Sequence, residues 1–328
     1  MLNIIVVVRV ISLCLLLCTQ LAWSADVPVT SDADSGPGTL REALANANNG
    51  DTIVFALPTG SIITLASTLT VAQSLAIDGA GSSGLTINGN HAVDVLTISG
   101  GVSATISNLA VANGTAGIFA LGNLTVSKCN ISGSTHGIYN YGTLIVANST
   151  FFGNSTSFVG GGIYIYYGSA TITNSTFVSN SALRGGAIEN NSNSISTVTN
   201  SLFQGNSASQ FGAAIYDFYG GKVYADHNLY WINSDPNGEY CSGCSIDSNL
   251  VLADPLLGSL ADNGGPTQTY VPALGGAAID GGDDATCAAP AVNNLDQRGV
   301  VRPTGAHCDI GAVENNDRVF LDDFEPAI

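Results

Sequence analysis

Few side chains in the middle of this 328-residue chain can do chemistry. They are Asp78, Asp94, Glu189, Asp217 and Asp226 as acids, with Lys128, Arg184, Lys222, His136 and His227 as bases. A pair of positioned carboxylates can hydrolyse a glycosidic bond. Carboxylates that hold Ca²⁺ beside a basic residue can instead support elimination, the base drawing a proton from the sugar ring. Asp217 and Asp226-His227 fall within one sequence repeat together with Lys222, and Glu189 falls one repeat earlier. Glu189, Asp217 and Asp226 are therefore the candidate catalytic set, for a polysaccharide lyase or glycoside hydrolase acting on acidic polysaccharide. No lyase or hydrolase motif surrounds them, and charged residues on elongated folds mostly serve solvation. A non-catalytic role is the preferred reading.

The elements that would position these residues announce themselves by repetition. Phe151-Phe-Gly-Asn154, Phe177-Val-Ser-Asn180 and Phe203-Gln-Gly-Asn206 recur at a fixed interval, and Tyr230-Trp-Ile-Asn233 follows one residue late. Between them lie Gly160-Gly-Gly-Ile163, Gly185-Gly-Ala-Ile188 and Gly212-Ala-Ala-Ile215. Short β-branched segments such as Leu144-Ile-Val and Ala170-Thr-Ile-Thr fill the gaps, with no helical period. Such units are too short to bury their own apolar faces and must stack on one another. The expectation is an all-β, right-handed parallel β-helix solenoid, because parallel crossovers favour that hand. The Phe and Tyr residues would form an internal ring stack, and the Asn residues an amide ladder at a bend. Weaker rungs run upstream through Val111, Ile131, Ile118 and Ile138. Leu75-Ala-Ile-Asp-Gly and Leu85-Thr-Ile-Asn-Gly read as further coils, giving about eight or nine rungs at about 4.8 Å each.

This register exposes a second pattern. Positions just after each repeat Ile read Phe119, Tyr139, Tyr164, Glu189 and Tyr216; two residues on, Leu121, Tyr141, Tyr166, Asn191 and Phe218. Strand alternation places both columns opposite the buried Ile. Tyr139, Tyr141, Tyr164, Tyr166, Tyr216 and Phe218 thus form a candidate binding strip for sugar rings or a host or cell-surface protein. The alternative, that ring ladders only stabilise the sheet, carries equal weight.

Phe-x-x-Asn in register with Gly-Gly-Ala-Ile, over roughly residues 110–235, resembles the repeat of bacterial polymorphic outer membrane proteins. That resemblance implies a surface-displayed, adhesin-like β-helix. Those proteins end in an outer-membrane barrel, for which this chain has no room.

The ends carry other signals. Thr39-Leu-Arg-Glu42 reads as a capping box opening an amphipathic helix with Leu40, Ala43, Leu44 and Ala47 on one face and Gly50 as its stop. Arg41 and Glu42 are read as ion pairing and capping. The helix would plug the first coil, and the segment is similar to the CSLREA-type N-terminal domain, although Gly38 stands where the family's Cys would be. Asp254-Pro-Leu-Leu, Asn263-Gly-Gly-Pro-Thr-Gln-Thr, Asp296-Gln-Arg-Gly299 and Cys308-Asp-Ile-Gly-Ala-Val-Glu314 resemble the choice-of-anchor Q domain, which implies display at a bacterial envelope. Asp296, Arg298, Arg302, Asp309 and Glu314 are expected to form an internal ion-pair network that closes the solenoid. Residues 1–24 fit a signal peptide, with an uncleaved anchor as the alternative, and the acidic Val319-Phe-Leu-Asp-Asp-Phe-Glu325 is similar to endings of some Gram-negative secreted proteins.

The resulting division is a signal (1–24), an N-terminal cap (25–58), a β-helix (59–250), a choice-of-anchor Q-like segment (251–314) and a tail (315–328). A net charge of −17 argues against nucleic-acid partners. Secretion or surface display in a Gram-negative bacterium, as a monomer with no transmembrane span in the mature chain, is expected. So are the disulfides Cys241–Cys244 and Cys287–Cys308, with Cys129 as a buried filler. No cofactor is required; the acidic Gly-rich loops Asp32-Ala-Asp34 and Asp280-Gly-Gly-Asp-Asp284 leave calcium open, although neither has a full calcium-loop pattern.

Overall fold

A computed structural model describes residues 24–316; all but the last residue of the proposed signal and most of the acidic tail lie outside them. Each sequence repeat is one coil of three strands, and matching strands stack in parallel to build three long sheets. Sheet A has ten strands, from Asp26–Val29 to Ile246–Ser248; sheets B and C have eight each. The register follows the repeat: Phe151 pairs with Phe177, and Phe177 with Phe203, on sheet B. Ile138 pairs with Ile163, and Ile163 with Ile188, on sheet C.

The core has the expected ladders. The rings of Phe151, Phe177, Phe203 and Tyr230 stack with centroids 4.8, 4.9 and 5.3 Å apart. The Nδ2 of Asn154, Asn180 and Asn206 donates to the Oδ1 of the next Asn in the ladder at 2.9, 3.0 and 2.9 Å. The same amides also donate to the carbonyls of Ile131, Phe151 and Phe177, so both hydrogens of each ladder amide are used. Gly160, Gly185 and Gly212 open the Gly tetrads with φ of 62, 60 and 62°. A Cβ there would lie 2.4–2.7 Å from a repeat Ile carbonyl, and that close approach requires glycine.

Upstream the assembly differs in detail from the sequence reading. Leu75–Asp78 lies in sheet A and Thr86–Asn88 in sheet B, so these segments are two sides of one coil rather than two coils. The segment read as a cap already contributes two sheet A strands, Asp26–Val29 and Thr52–Phe55. Helix α1 (Leu40–Asn46) buries Leu40, Ala43 and Leu44 against this first coil. Thr39 Oγ1 accepts from the Glu42 N–H at 3.3 Å, but the Glu42 carboxylate accepts from Gly38, one residue upstream of the expected reciprocal bond. The helix ends at Asn46 with Ala47 in extended backbone, before Gly50.

The C-terminal segment does not close the solenoid. It folds back along the corner between sheets A and B. Gln297 Nε2 donates to the Cys129 carbonyl, its Oε1 accepts from Thr150, and the Gly311 N–H donates to the Asn200 carbonyl. The far end of the core is instead covered by Tyr240, whose ring lies 5.8 Å from Tyr230, and by the Cys241–Cys244 disulfide packed beside it. Cys287–Cys308 staples short helix α2 (Asp284–Ala288) to the folded-back segment. The expected ion network is only partly ionic. Arg298 pairs with Asp296 at 2.9 Å, whereas buried Arg302 donates to the carbonyls of Asp309, Gly311 and Ala312. Glu314 accepts from the N–H groups of Thr304 and Asp309. Cys129 is free and buried, and burial pushes its thiol up to about 12.

Candidate functional site

The outer face of sheet C is built from Ala116–Ala120, His136–Asn140, Ile163–Tyr166, Ile188–Asn191 and Ile215–Phe218. Alternation turns Ile118, Ile138, Ile163, Ile188 and Ile215 into the core and the residues after them outward. The rings meet in an unbroken chain on the first three of these strands. Phe119 lies 5.4 Å from Tyr139, Tyr139 lies 4.8 Å from Tyr164, and Tyr141 lies 5.4 Å from Tyr166. Tyr139 and Tyr141 stack at 5.2 Å, their hydroxyls 3.2 Å apart. Tyr216 and Phe218 stack at 5.8 Å on the fifth strand. The sequence-derived strip is therefore contiguous on both sides of its polar interruption. Tyr164 is buried at 7% exposure, so Tyr141, Tyr166 and Phe218 offer more of their rings to solvent.

The interruption is a closed polar node. Glu189 is fully buried, one carboxylate oxygen accepting from Asn191 at 2.9 Å and facing Arg184 at 3.4 Å. Asn191 also donates to the Tyr164 hydroxyl at 3.3 Å. The Arg184 guanidinium lies over the Phe218 ring at 4.3 Å, a cation–π contact that ties the node to the second ring group. Burial pushes the Glu189 carboxyl up to about 7, with Arg184 and Asn191 opposing the rise. Its other oxygen has no partner among the described residues. Burial raises the Tyr139 and Tyr164 phenols and lowers His136, whose Nδ1 lies 3.2 Å from the Gly160 carbonyl.

Phe211, Tyr167 and Tyr219 extend the strip beyond the residues the sequence reading singled out, and Arg184, read there only as a base, joins it. Arg184 and Phe211 occupy the position just before the Gly tetrad, and they are paired in a two-stranded ladder beside sheet C. Phe211 stacks on Tyr216 at 5.6 Å. Reading the repeat one residue earlier would have found this column. Tyr167 and Tyr219 sit in left-handed turns, and the Tyr167 ring meets Tyr166 at 4.4 Å.

The candidate catalytic set is not brought together. Glu189 faces outward, beside Tyr216 in the ladder; Asp217 is the next position along and points to the other side, where it accepts from Asn190 at 2.8 Å. Asp226 ends a sheet A strand and accepts from Ser248 and Asn249, with His227 at 3.1 Å. Partial burial opposes those contacts, yet they hold the Asp226 carboxyl below its usual value. Lys222 is exposed at the opposite end of the same strand. The three acids therefore occupy an outer face, an inner corner and a different sheet.

The acidic loops are engaged internally. Asp34 pairs with Arg41, which also donates to the carbonyls of Ser67 and Thr68. Asp283 caps α2 and Asp284 meets His307 at 2.9 Å. Among the described residues there is no group of three or more His, Cys, Asp or Glu side chains that could hold a metal ion. No helix among them is long and apolar enough to cross a membrane.

Coils of three stacked strands around ladders of Phe, Ile and Asn define a parallel β-solenoid protein. The family described as the right handed beta helix region matches residues 61–249, and the chain belongs to it. No curated protein matches the sequence. Among solved structures the chain is similar to Jun a 1, the major allergen from cedar pollen. The TM-score is 0.53 at 15% identity, over 70% of this chain and 77% of that one, and the likeness concerns the fold alone.

Proposed function

We propose that this protein is an exported cell-envelope or extracellular β-helix that binds glycan along the outer face of sheet C, as an adhesin-like module with no catalytic step. One observation carries the reading: a contiguous run of tyrosine and phenylalanine rings, partly exposed, around a fixed Arg184–Glu189–Asn191 node. Sugar rings present apolar faces edged by hydroxyls, and a rigid ring strip with donors and acceptors at its centre complements both. The strip needs no cofactor. The similarity of residues 251–314 to a choice-of-anchor Q domain supports display at the cell surface. The test is an array of neutral and acidic oligosaccharides probed with the full chain and with Tyr141→Ser/Tyr166→Ser. Binding by the parent and at least tenfold weaker binding by the variant is expected; equal binding by both would reject the strip.

The runner-up, polysaccharide lyase or glycoside hydrolase activity, draws on a different observation: a buried carboxyl at about 7 with a free oxygen has the protonation of a general acid at neutral pH. Turnover of an acidic polysaccharide that vanishes in Glu189→Gln while binding persists would overturn the non-catalytic reading.

A further inference from the structure

The outer face of sheet A is of another kind. On five successive strands, Ser103–Ser107, Asn123–Ser127, Thr143–Ala147, Ser169–Thr173 and Ile195–Thr199, the outward positions are three per strand. Seven of these fifteen are Thr and four are Ser, none is charged and none is aromatic. Their order is two-dimensional. Thr105 pairs directly with Thr125, and Thr171 with Thr197, in the central column, with Ile145 between the two pairs. Thr173 pairs with Thr199 two residues on, where only Ala147 and Thr173 are buried. The repeats are about 4.8 Å between strands and about 6.7 Å along them. Beneath, Ile106, Val126, Val146, Ile172 and Val198 are fully buried, so the array sits on a packed floor. The hydroxyls of Thr105, Thr125, Thr171 and Thr197 engage no other protein group among the described residues.

Charge narrows the partner. The chain carries −17, yet acids and bases border this face without entering it: Asp78 on one side, Lys222 and Asp226 on the other. A neutral face on an acidic body selects an uncharged partner. A single ring, Tyr224, continues the central column beyond Thr197; this sparseness, against the abundance of rings on sheet C, disfavours sugars, which dock through ring faces. What remains is a partner with its own regular array of hydrogen-bonding oxygens. We infer that the Thr/Ser lattice of sheet A is an ice-binding face. Its repeats are close to those at which oxygens recur on a prism face of ice; each Thr methyl excludes loose water while its hydroxyl anchors an ordered one. The inference is independent of glycan binding on sheet C.

The experiment uses the purified full chain. Thermal hysteresis and uptake into a growing ice hemisphere are compared for the parent, Thr125→Tyr/Thr171→Tyr and the milder Thr105→Val/Thr197→Val. Expected are hysteresis that rises with protein concentration and enrichment in ice, both lost in the Tyr variant and weakened in the Val variant, with melting temperatures unchanged. Absence of hysteresis together with exclusion from ice overturns the inference, as does hysteresis that survives both substitutions. Binding to crystalline cellulose or self-association that depends on these threonines, with no effect on ice, assigns the face to a solid polysaccharide or a second copy and overturns it equally.

Discussion

Sheets A and C are made by the same coils, yet one presents rings and the other hydroxyls. Their inward columns are alike: Val126, Val146 and Ile172 under sheet A, Ile138, Ile163 and Ile188 under sheet C, all fully buried. Core packing constrains these positions to a narrow range of volumes, because an interior close-packed at its ladder spacing has no slack. Outward positions carry no such constraint and differ freely between faces. The repeat is therefore a scaffold, and function resides in whichever outward column departs from simple solvation.

Several substitutions would break or sharpen that contrast. The largest effect is expected inward: Phe177→Ala removes the middle ring of the stack and should cost about 3–5 kcal/mol in denaturant unfolding. Next is Asn180→Ala, which removes the buried acceptor of both the Asn154 backbone N–H and the Asn154 Nδ2, each loss costing about 1–3 kcal/mol. A smaller, pH-dependent effect is expected at the node. The Glu189 carboxyl ionises near 4.5 when unfolded and at about 7 when folded. Between those values the folded state holds more protons, so stability falls as pH rises through the window and levels off above it. Glu189→Gln should remove this decline, so its melting temperature relative to the parent should climb between pH 5 and 7; a pH-independent difference would contradict the buried-carboxyl account. Asp247, pushed up to about 6 by burial near Tyr230, should give a weaker decline of the same sign, removed by Asp247→Asn. The smallest effect belongs to sheet A, where Thr171→Val should change stability by no more than about 0.5 kcal/mol in either direction.

The fold was legible because Phe151, Phe177 and Phe203 share a period and a partner; one spacing set the register, and the register set the strip. The aromatic columns followed from alternation alone. Three things escaped. The fold-back of residues 251–314 has no periodicity, and its docking depends on Gln297 meeting Thr150 and Cys129 across more than a hundred residues of sequence. The capping of the far end by Tyr240 and Cys241–Cys244 rests on one ring continuing a stack after the repeat has lapsed. The separation of the candidate acids escaped too, because sharing a coil is not sharing a face: Asp217 and Asp226 lie in one turn of the helix but on different sheets.

The division of labour between the two faces is tested most directly by measuring oligosaccharide affinity for three proteins side by side: the parent, Tyr141→Ser/Tyr166→Ser on sheet C and Thr125→Tyr/Thr171→Tyr on sheet A. Affinity at least tenfold weaker in the first variant and unchanged in the second, with all three melting alike, is the predicted result. Affinity retained without the sheet C rings, or lost with the sheet A threonines, would contradict it.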